Sequence, residues 1–242
     1  MKNNFRKKIN HVAIIPDGNR RWAKGVGKTP SEGHRMGAQR IEELSRNALK
    51  SGVKYLTFWG SSKENLKKRP LDEKRELLKI YEEYFKKLIN DPDIFKNKTR
   101  IQVIGDWRKQ FPCKLRKILE NGIEKTKHHT ENFLSFMLAY DGGEDVLSAV
   151  RTIKKKILKE KTDFKINSES FREFLLSRDL PEVDLLIRTG VENDPHNSAG
   201  FLMWQTQNSQ YHFSNKFFPE FKPDDLVEAI RDFGKRERRM GE

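Results

Sequence analysis

Apolar residues along the chain fall into short, nearly unbroken runs separated by longer stretches of helical period. The runs at 12–15, 55–59, 101–104, 133–139 and 185–187 show little polar alternation. That pattern predicts strands covered on both faces. Between them, apolar side chains recur at three- and four-residue spacing over 33–51, 71–88, 114–126, 143–159, 168–176 and 224–233, which predicts helices. Ser168 stands as the N-cap of the fifth of these, and Glu131-Asn132 as a turn before a strand. The alternation predicts one α/β domain over residues 1–242, with 1–10 flexible and a central, mostly parallel sheet flanked by helices. No Pro/Gly/Ser linker divides the chain and no repeat is visible.

Charge narrows the partners. A formal net charge of +14 over 242 residues points to polyanions: nucleic acid, acidic lipid surfaces or phosphorylated small molecules. No helix-turn-helix, RNA-recognition or zinc motif accompanies the charge, so nucleic acid is not expected as a partner. The single cysteine, Cys113, excludes an internal disulfide and argues against a thiolate metal cluster, which suits a reducing compartment. No apolar run approaches the ~20 residues needed to span a bilayer, and residues 1–10 lack a signal-peptide core, which predicts a soluble cytoplasmic protein.

The most informative segment is His-Val-Ala-Ile-Ile-Pro-Asp-Gly-Asn-Arg-Arg, residues 11–21, followed by Trp22. The apolar strand stops at Pro16, which cannot donate to a ladder, Asp17-Gly18 makes a turn, and Asn19, Arg20 and Arg21 open a helical stretch. A carboxylate and two guanidinium groups therefore stand at the C-terminal end of a strand, where open α/β sheets bind ligands. Asp17 can hold a divalent metal, and the N–H groups around residues 18–20, with Arg21, can hold a diphosphate. Alone, the segment is equally an ordinary strand–turn–helix junction with solvated charges.

Further blocks follow in order: Gly33-His34 with Gly37, Ser62-Lys-Glu-Asn65 with Arg69-Pro70, Ile104-Gly105-Asp106, and Tyr140-Asp-Gly-Gly143. Asp184-Leu-Leu-Ile-Arg-Thr-Gly190, Phe201-Leu-Met-Trp-Gln205 and Arg236-Glu-Arg-Arg-Met-Gly241 complete the series. The ordered set resembles the cis-prenyltransferases, the undecaprenyl diphosphate synthase family, over nearly the whole chain. The resemblance implies a prenyltransferase that condenses an allylic isoprenoid diphosphate with isopentenyl diphosphate to give a cis-prenyl diphosphate. It implies Mg²⁺ on Asp17, and an allylic diphosphate cradle of Gly18, Asn19, Arg20, Arg21 and Trp22, with Arg20 where relatives often carry glycine. It further implies His34, Ser62, Asn65 and Arg69 around the reacting carbons and leaving group. Arg188, Ser198, Arg239 and Gly241 would bind the second substrate, the last two across the interface of a homodimer. A lipid product would bring peripheral membrane contact. Part of the stripe Leu77, Leu78, Tyr81, Tyr84, Phe85 and Leu88 would line a hydrophobic tunnel, with Leu78, Tyr81 and Phe85 preferred over plain core packing.

Three departures from the family pattern concern charge. Residues 190–200 form a longer segment without its expected second arginine and offer Asp194, His196, Asn197 and Ser198 instead. Gln210 stands where a metal-associated glutamate is usual, and a neutral amide is a weak ligand. Pro30 replaces another arginine. These motivate a second reading, an altered second site that condenses two allylic diphosphates in branched fashion or makes a short product. A third, an accessory subunit of a heteromeric prenyltransferase, fits poorly with the intact Asp17.

Overall fold

The computed structural model describes residues 9–160 and 165–236. Six strands, β1 (His11–Ile15), β2 (Tyr55–Trp59), β3 (Thr99–Ile104), β4 (Asn132–Met137), β5 (Leu185–Arg188) and β6 (Gln210–Phe213), form one sheet in the order β3-β4-β2-β1-β5-β6. Every pairing is parallel. The helices among the described residues are α1 (Asn19–Gly25), α2 (Pro30–Lys50), α3 (Lys63–Lys68), α4 (Leu71–Leu88), α5 (Pro92–Lys96), α6 (Trp107–Gln110), α7 (Cys113–Thr126), α8 (Gly142–Glu160), α9 (Ser168–Arg172) and α10 (Pro223–Lys235). None is long and apolar enough to cross a membrane.

Buried side chains on the two sheet faces form separate cores, as the unbroken apolar strands require. Val12 and Ile14 of β1 join Phe58, Leu134, Leu44 and Phe85 on one face, while Ala13 and Ile15 join Leu186, Met137 and Phe201 on the other. The chain leaves β1 toward β2 and later returns to its other side as β5, so the strand order reverses at β1. The loops after β1 and β5 consequently meet at the carboxyl edge of the sheet, where a crevice opens.

Four expectations change. Residues 61–69, outside every helix that the periodicity predicts, contain α3, because the Ser62 hydroxyl caps it by accepting from Asn65 N at 2.9 Å. β4 stops at Met137 because Ala139 turns into the left-handed region at φ 51°. Asn167, not Ser168, is the N-cap of α9, which ends at Arg172. β6, a half-exposed strand with only one sheet partner, has too little apolar patterning to be seen in sequence.

Candidate active site

Pro16 ends β1, and Gly18, at φ 97°, turns the chain into α1. A Cβ on Gly18 would stand 2.5 Å from Cδ1 of Phe217, so both conformation and space demand glycine. The turn is fastened from β5: the Thr189 hydroxyl accepts from Asp17 N at 3.0 Å and donates to Asp17 O at 2.8 Å. Asn19 serves the same turn through Nδ2, which donates to Pro16 O at 3.0 Å. The first intrahelical bond of α1 runs from Trp22 N to Gly18 O, leaving the N–H groups of Asn19, Arg20 and Arg21 at the helix entrance.

Gly33 and Gly37 explain why their motif accompanies this turn. They lie one helical turn apart on α2, and a Cβ on either would come within 2.4 Å of Asn19, on its carbonyl oxygen or Oδ1 respectively. Glycine lets α1 lie against α2. Pro30 occupies the first turn of α2 after the Thr29 capping box, so the residue standing in for an arginine starts the helix instead.

Asp17 gathers charge from both sides. Its Oδ1 accepts from Gly18 N at 2.6 Å and lies 3.3 Å from Arg21 Nη2. Its Oδ2 accepts from Arg188 Nη2 at 3.1 Å, while Arg188 Nη1 donates to His196 O at 2.7 Å. Arg188 is buried, and its Nε has no partner among the described residues. Arg21 donates to Gly190 O at 2.7 Å and pairs with Glu192.

A second cluster faces the first. Arg69 Nη1 donates to His34 Nε2 at 3.0 Å, which leaves the imidazole neutral with its proton on Nδ1. Burial and then the Arg69 charge lower the His34 pKa to about 4. Behind both stands Glu73, whose Oε1 lies 3.4 Å from Arg69, 3.5 Å from His34 and 3.6 Å from Arg20.

Between the clusters a cavity of about 920 Å³ opens. Asp17, Gly18, Asn19, Arg20, Arg21, His34, Ser62, Asn65, Arg69 and Ser198 all line it, together with Lys24 and Lys28. Its inner walls are Ile41 of α2, Leu77, Ile80, Tyr81, Tyr84 and Phe85 of α4, and Phe136 of β4. Tyr81 and Phe85 thus take the lining role expected of them. Leu78 does not; it packs against the core, since the α4 face toward the cavity runs 77, 80, 81, 84, 85.

Other residues also stand apart from their expected places. Trp22 is half-buried on α1 and does not line the cavity. Arg188 stands behind Asp17 rather than in the lining. Gln210 begins β6 opposite Leu185, at the amino end of the sheet, and so does not accompany Asp17. Arg239 and Gly241 lie outside the described residues. Glu73, Thr189 and Glu192 were not singled out in the sequence. Two of them carry a signal: Thr189 lies within the 184–190 block, and Glu73 stands at i,i+4 spacing from Arg69.

The prenyltransferase family model described as undecaprenyl diphosphate synthase matches residues 15–241. The chain belongs to the undecaprenyl diphosphate synthase family. Family membership makes it an enzyme that transfers prenyl groups. Among relatives in this family, the tritrans,polycis-undecaprenyl-diphosphate synthase (geranylgeranyl-diphosphate specific) of Methanopyrus kandleri is 37% identical over 232 residues, covering 96% of this chain and 84% of that protein. The isoprenyl transferase of Clostridium perfringens is 37% identical over 232 residues, covering 96% of this chain and 89% of that one. The crystal structure of lavandulyl diphosphate synthase from Lavandula x intermedia, in complex with dimethylallyl diphosphate, superposes with a TM-score of 0.88 at 30% identity, covering 97% of this chain and 99% of the other.

Proposed function

We propose that the cavity condenses an allylic isoprenoid diphosphate with isopentenyl diphosphate to form a cis-prenyl diphosphate. The observation that carries this reading is the cavity's change of character, from guanidinium groups and carboxylates at the mouth to aliphatic and aromatic walls within. Only an amphiphile with an anionic head and a long apolar tail uses both halves.

The N–H groups entering α1, with Arg20, Arg21 and Arg69, would hold the allylic diphosphate, while its tail lies along α2 and α4. The allylic C–O bond breaks with its electron pair passing to the diphosphate oxygen. The alkene of the second substrate attacks the cation, and loss of one proton restores a double bond. Guanidinium groups fixed before the reaction stabilise the charge that grows on the leaving diphosphate. Neutral His34, with Ser62 and Asn65, would face the reacting carbons. Ser198 would meet the second diphosphate, with Arg188 adding its charge from behind Asp17.

Asp17 is the residue that would hold Mg²⁺. It lies at the entrance of α1 beside the diphosphate donors, whereas the other lining acid, Glu64, pairs with Lys68 along α3, and no cluster of three His, Cys, Asp or Glu ligands exists among the described residues. One carboxylate suits Mg²⁺, which completes its shell with substrate phosphate oxygens and water. When bound, it would neutralise charge on the departing diphosphate.

We further assign the enzyme to a cytoplasmic homodimer, with Arg239 and Gly241 completing the partner's second-substrate site and a lipid product bringing it to membrane surfaces. A second reading, an allylic diphosphate in the second site, draws support from residues 190–200. These add Ser198 and Ala199 to the cavity lining but no cation. The test is incubation with radiolabelled isopentenyl diphosphate and each allylic primer in turn, from dimethylallyl to geranylgeranyl diphosphate. Labelled, chain-extended product with any primer supports the first reading. Product from dimethylallyl diphosphate alone supports the second. No product under either condition overturns both.

A further inference from the structure

Glu73 is the buried acid nearest the cationic mouth, and it does not line the cavity. Its side chain is 9% exposed, yet a single oxygen, Oε1, faces Arg20 Nε, His34 Nε2 and Arg69 Nη1 at 3.4–3.6 Å. All three partners do line the cavity. Glu73 therefore touches the groups that would touch a ligand, without reaching the ligand itself.

Its position contrasts with that of an acid beside the neighbouring Arg21. Glu192 pairs with Arg21 but is 50% exposed, so it can turn into water when an anion takes its place. Glu73 is fixed in the first turn of α4, shielded from solvent. Its charge stays beside Arg20 and Arg69 whether or not the cavity is filled, and burial leaves that charge poorly screened by salt.

We propose that Glu73 is a positioning residue and a built-in counter-anion: it holds Arg20 and Arg69 in place, and through Arg69 the neutral His34, and competes with bound diphosphate for the charge of the two arginines. The competition keeps the inorganic diphosphate left by each transfer from occupying the site tightly. This rests on the reading that the mouth binds a diphosphate. The simpler role, an acid complementing the N-terminal end of α4, applies equally to Asp72. Asp72 sits in the same turn but is 94% exposed and has Arg75 as its ion-pair partner.

The experiment is calorimetric titration of inorganic diphosphate into the full chain, at fixed ionic strength, for the wild type, Glu73→Gln and Asp72→Asn. Glutamine keeps the shape and an acceptor oxygen while removing the charge. Glu73→Gln is expected to bind diphosphate roughly tenfold more tightly, which corresponds to about 1.4 kcal/mol. Product inhibition by diphosphate should strengthen in parallel, and kcat should fall more than KM for the primer. Asp72→Asn should match the wild type. Unchanged or weaker binding by folded Glu73→Gln overturns the proposal and leaves Glu73 a structural ion pair. Should Glu73→Gln fail to fold, Glu73→Ala, favourable to helix α4 on propensity, carries the same expectation. A wild type that binds no diphosphate overturns the reading of the mouth itself, and this inference with it.

Discussion

Asp17 and Arg188 close the carboxyl edge of the sheet from two adjacent strands, with Oδ2 and Nη2 3.1 Å apart. The pair joins the functional turn to a buried cation, so Asp17 serves both chemistry and structure. Asp17→Asn should lower turnover at least ~100-fold, because it removes the charge that would hold a metal while keeping an acceptor for Arg188. Asp17→Ala should add a stability loss of about 1–3 kcal/mol, since the buried guanidinium loses a partner. Steady-state kinetics and urea denaturation check the two effects, and near-wild-type turnover of Asp17→Asn with magnesium would refute the metal assignment.

Gly33 should be irreplaceable for a steric reason. Gly33→Ala places a methyl 2.3 Å from Asn19 O, forcing α1 away from α2 at a cost of about 1–3 kcal/mol. The displaced turn should also weaken diphosphate binding. Gly25→Ala, where a Cβ meets nothing within 4 Å, should be neutral or slightly stabilising. Thermal unfolding and diphosphate titration of both variants separate the cases.

Acid should destabilise the fold through two histidines. Burial lowers His11 and His34 from 6.5 to about 4, with the Arg69 charge adding to the effect on His34. Between those values the unfolded chain binds protons that the folded chain does not. Stability from these groups is therefore full above pH 6.5 and declines as pH falls toward 4, by up to about 3 kcal/mol per histidine. Urea unfolding at pH 7.5 and 4.5 measures this, and His11→Gln should flatten part of the slope. A kcat/KM profile with an inflection near pH 6.5 that vanishes in a His34 variant would contradict the neutral assignment.

Tyr84 carries a buried hydroxyl with no hydrogen-bond partner among the described residues, and burial pushes its pKa well above the ordinary tyrosine value. Tyr84→Phe should stabilise the protein by up to about 1 kcal/mol. The ring also lines a second cavity of about 50 Å³, bounded by Ala48, Leu49, Val53 and Leu88 within and by Glu42, Arg46 and Asp91 as charged members of its wall. Tyr84→Ala should join the two spaces and lengthen the longest product. Chromatographic sizing of the prenyl chains, beside denaturation of Tyr84→Phe, checks both expectations.

Local order was legible in the chain wherever one residue type has one physical use. Unbroken apolar runs required a two-sided sheet, and 55–59 and 71–88 coincide with β2 and α4. Pro16-Asp17-Gly18 required a turn at a strand end. Charged residues are different, because a side chain's partners depend on which loops the strand order brings together. Placing β5 beside β1 set Arg188 against Asp17, 171 residues away, and the packing of α2 against α4 set His34 against Arg69 and Glu73. The same topology carried Gln210 to the opposite end of the sheet and turned Leu78 into the core. Sequence alone determined the elements and the residue types at the turn, since those follow from local sterics and burial. Only the tertiary structure decided which charges share a cavity, because that depends on contacts between segments far apart in the chain.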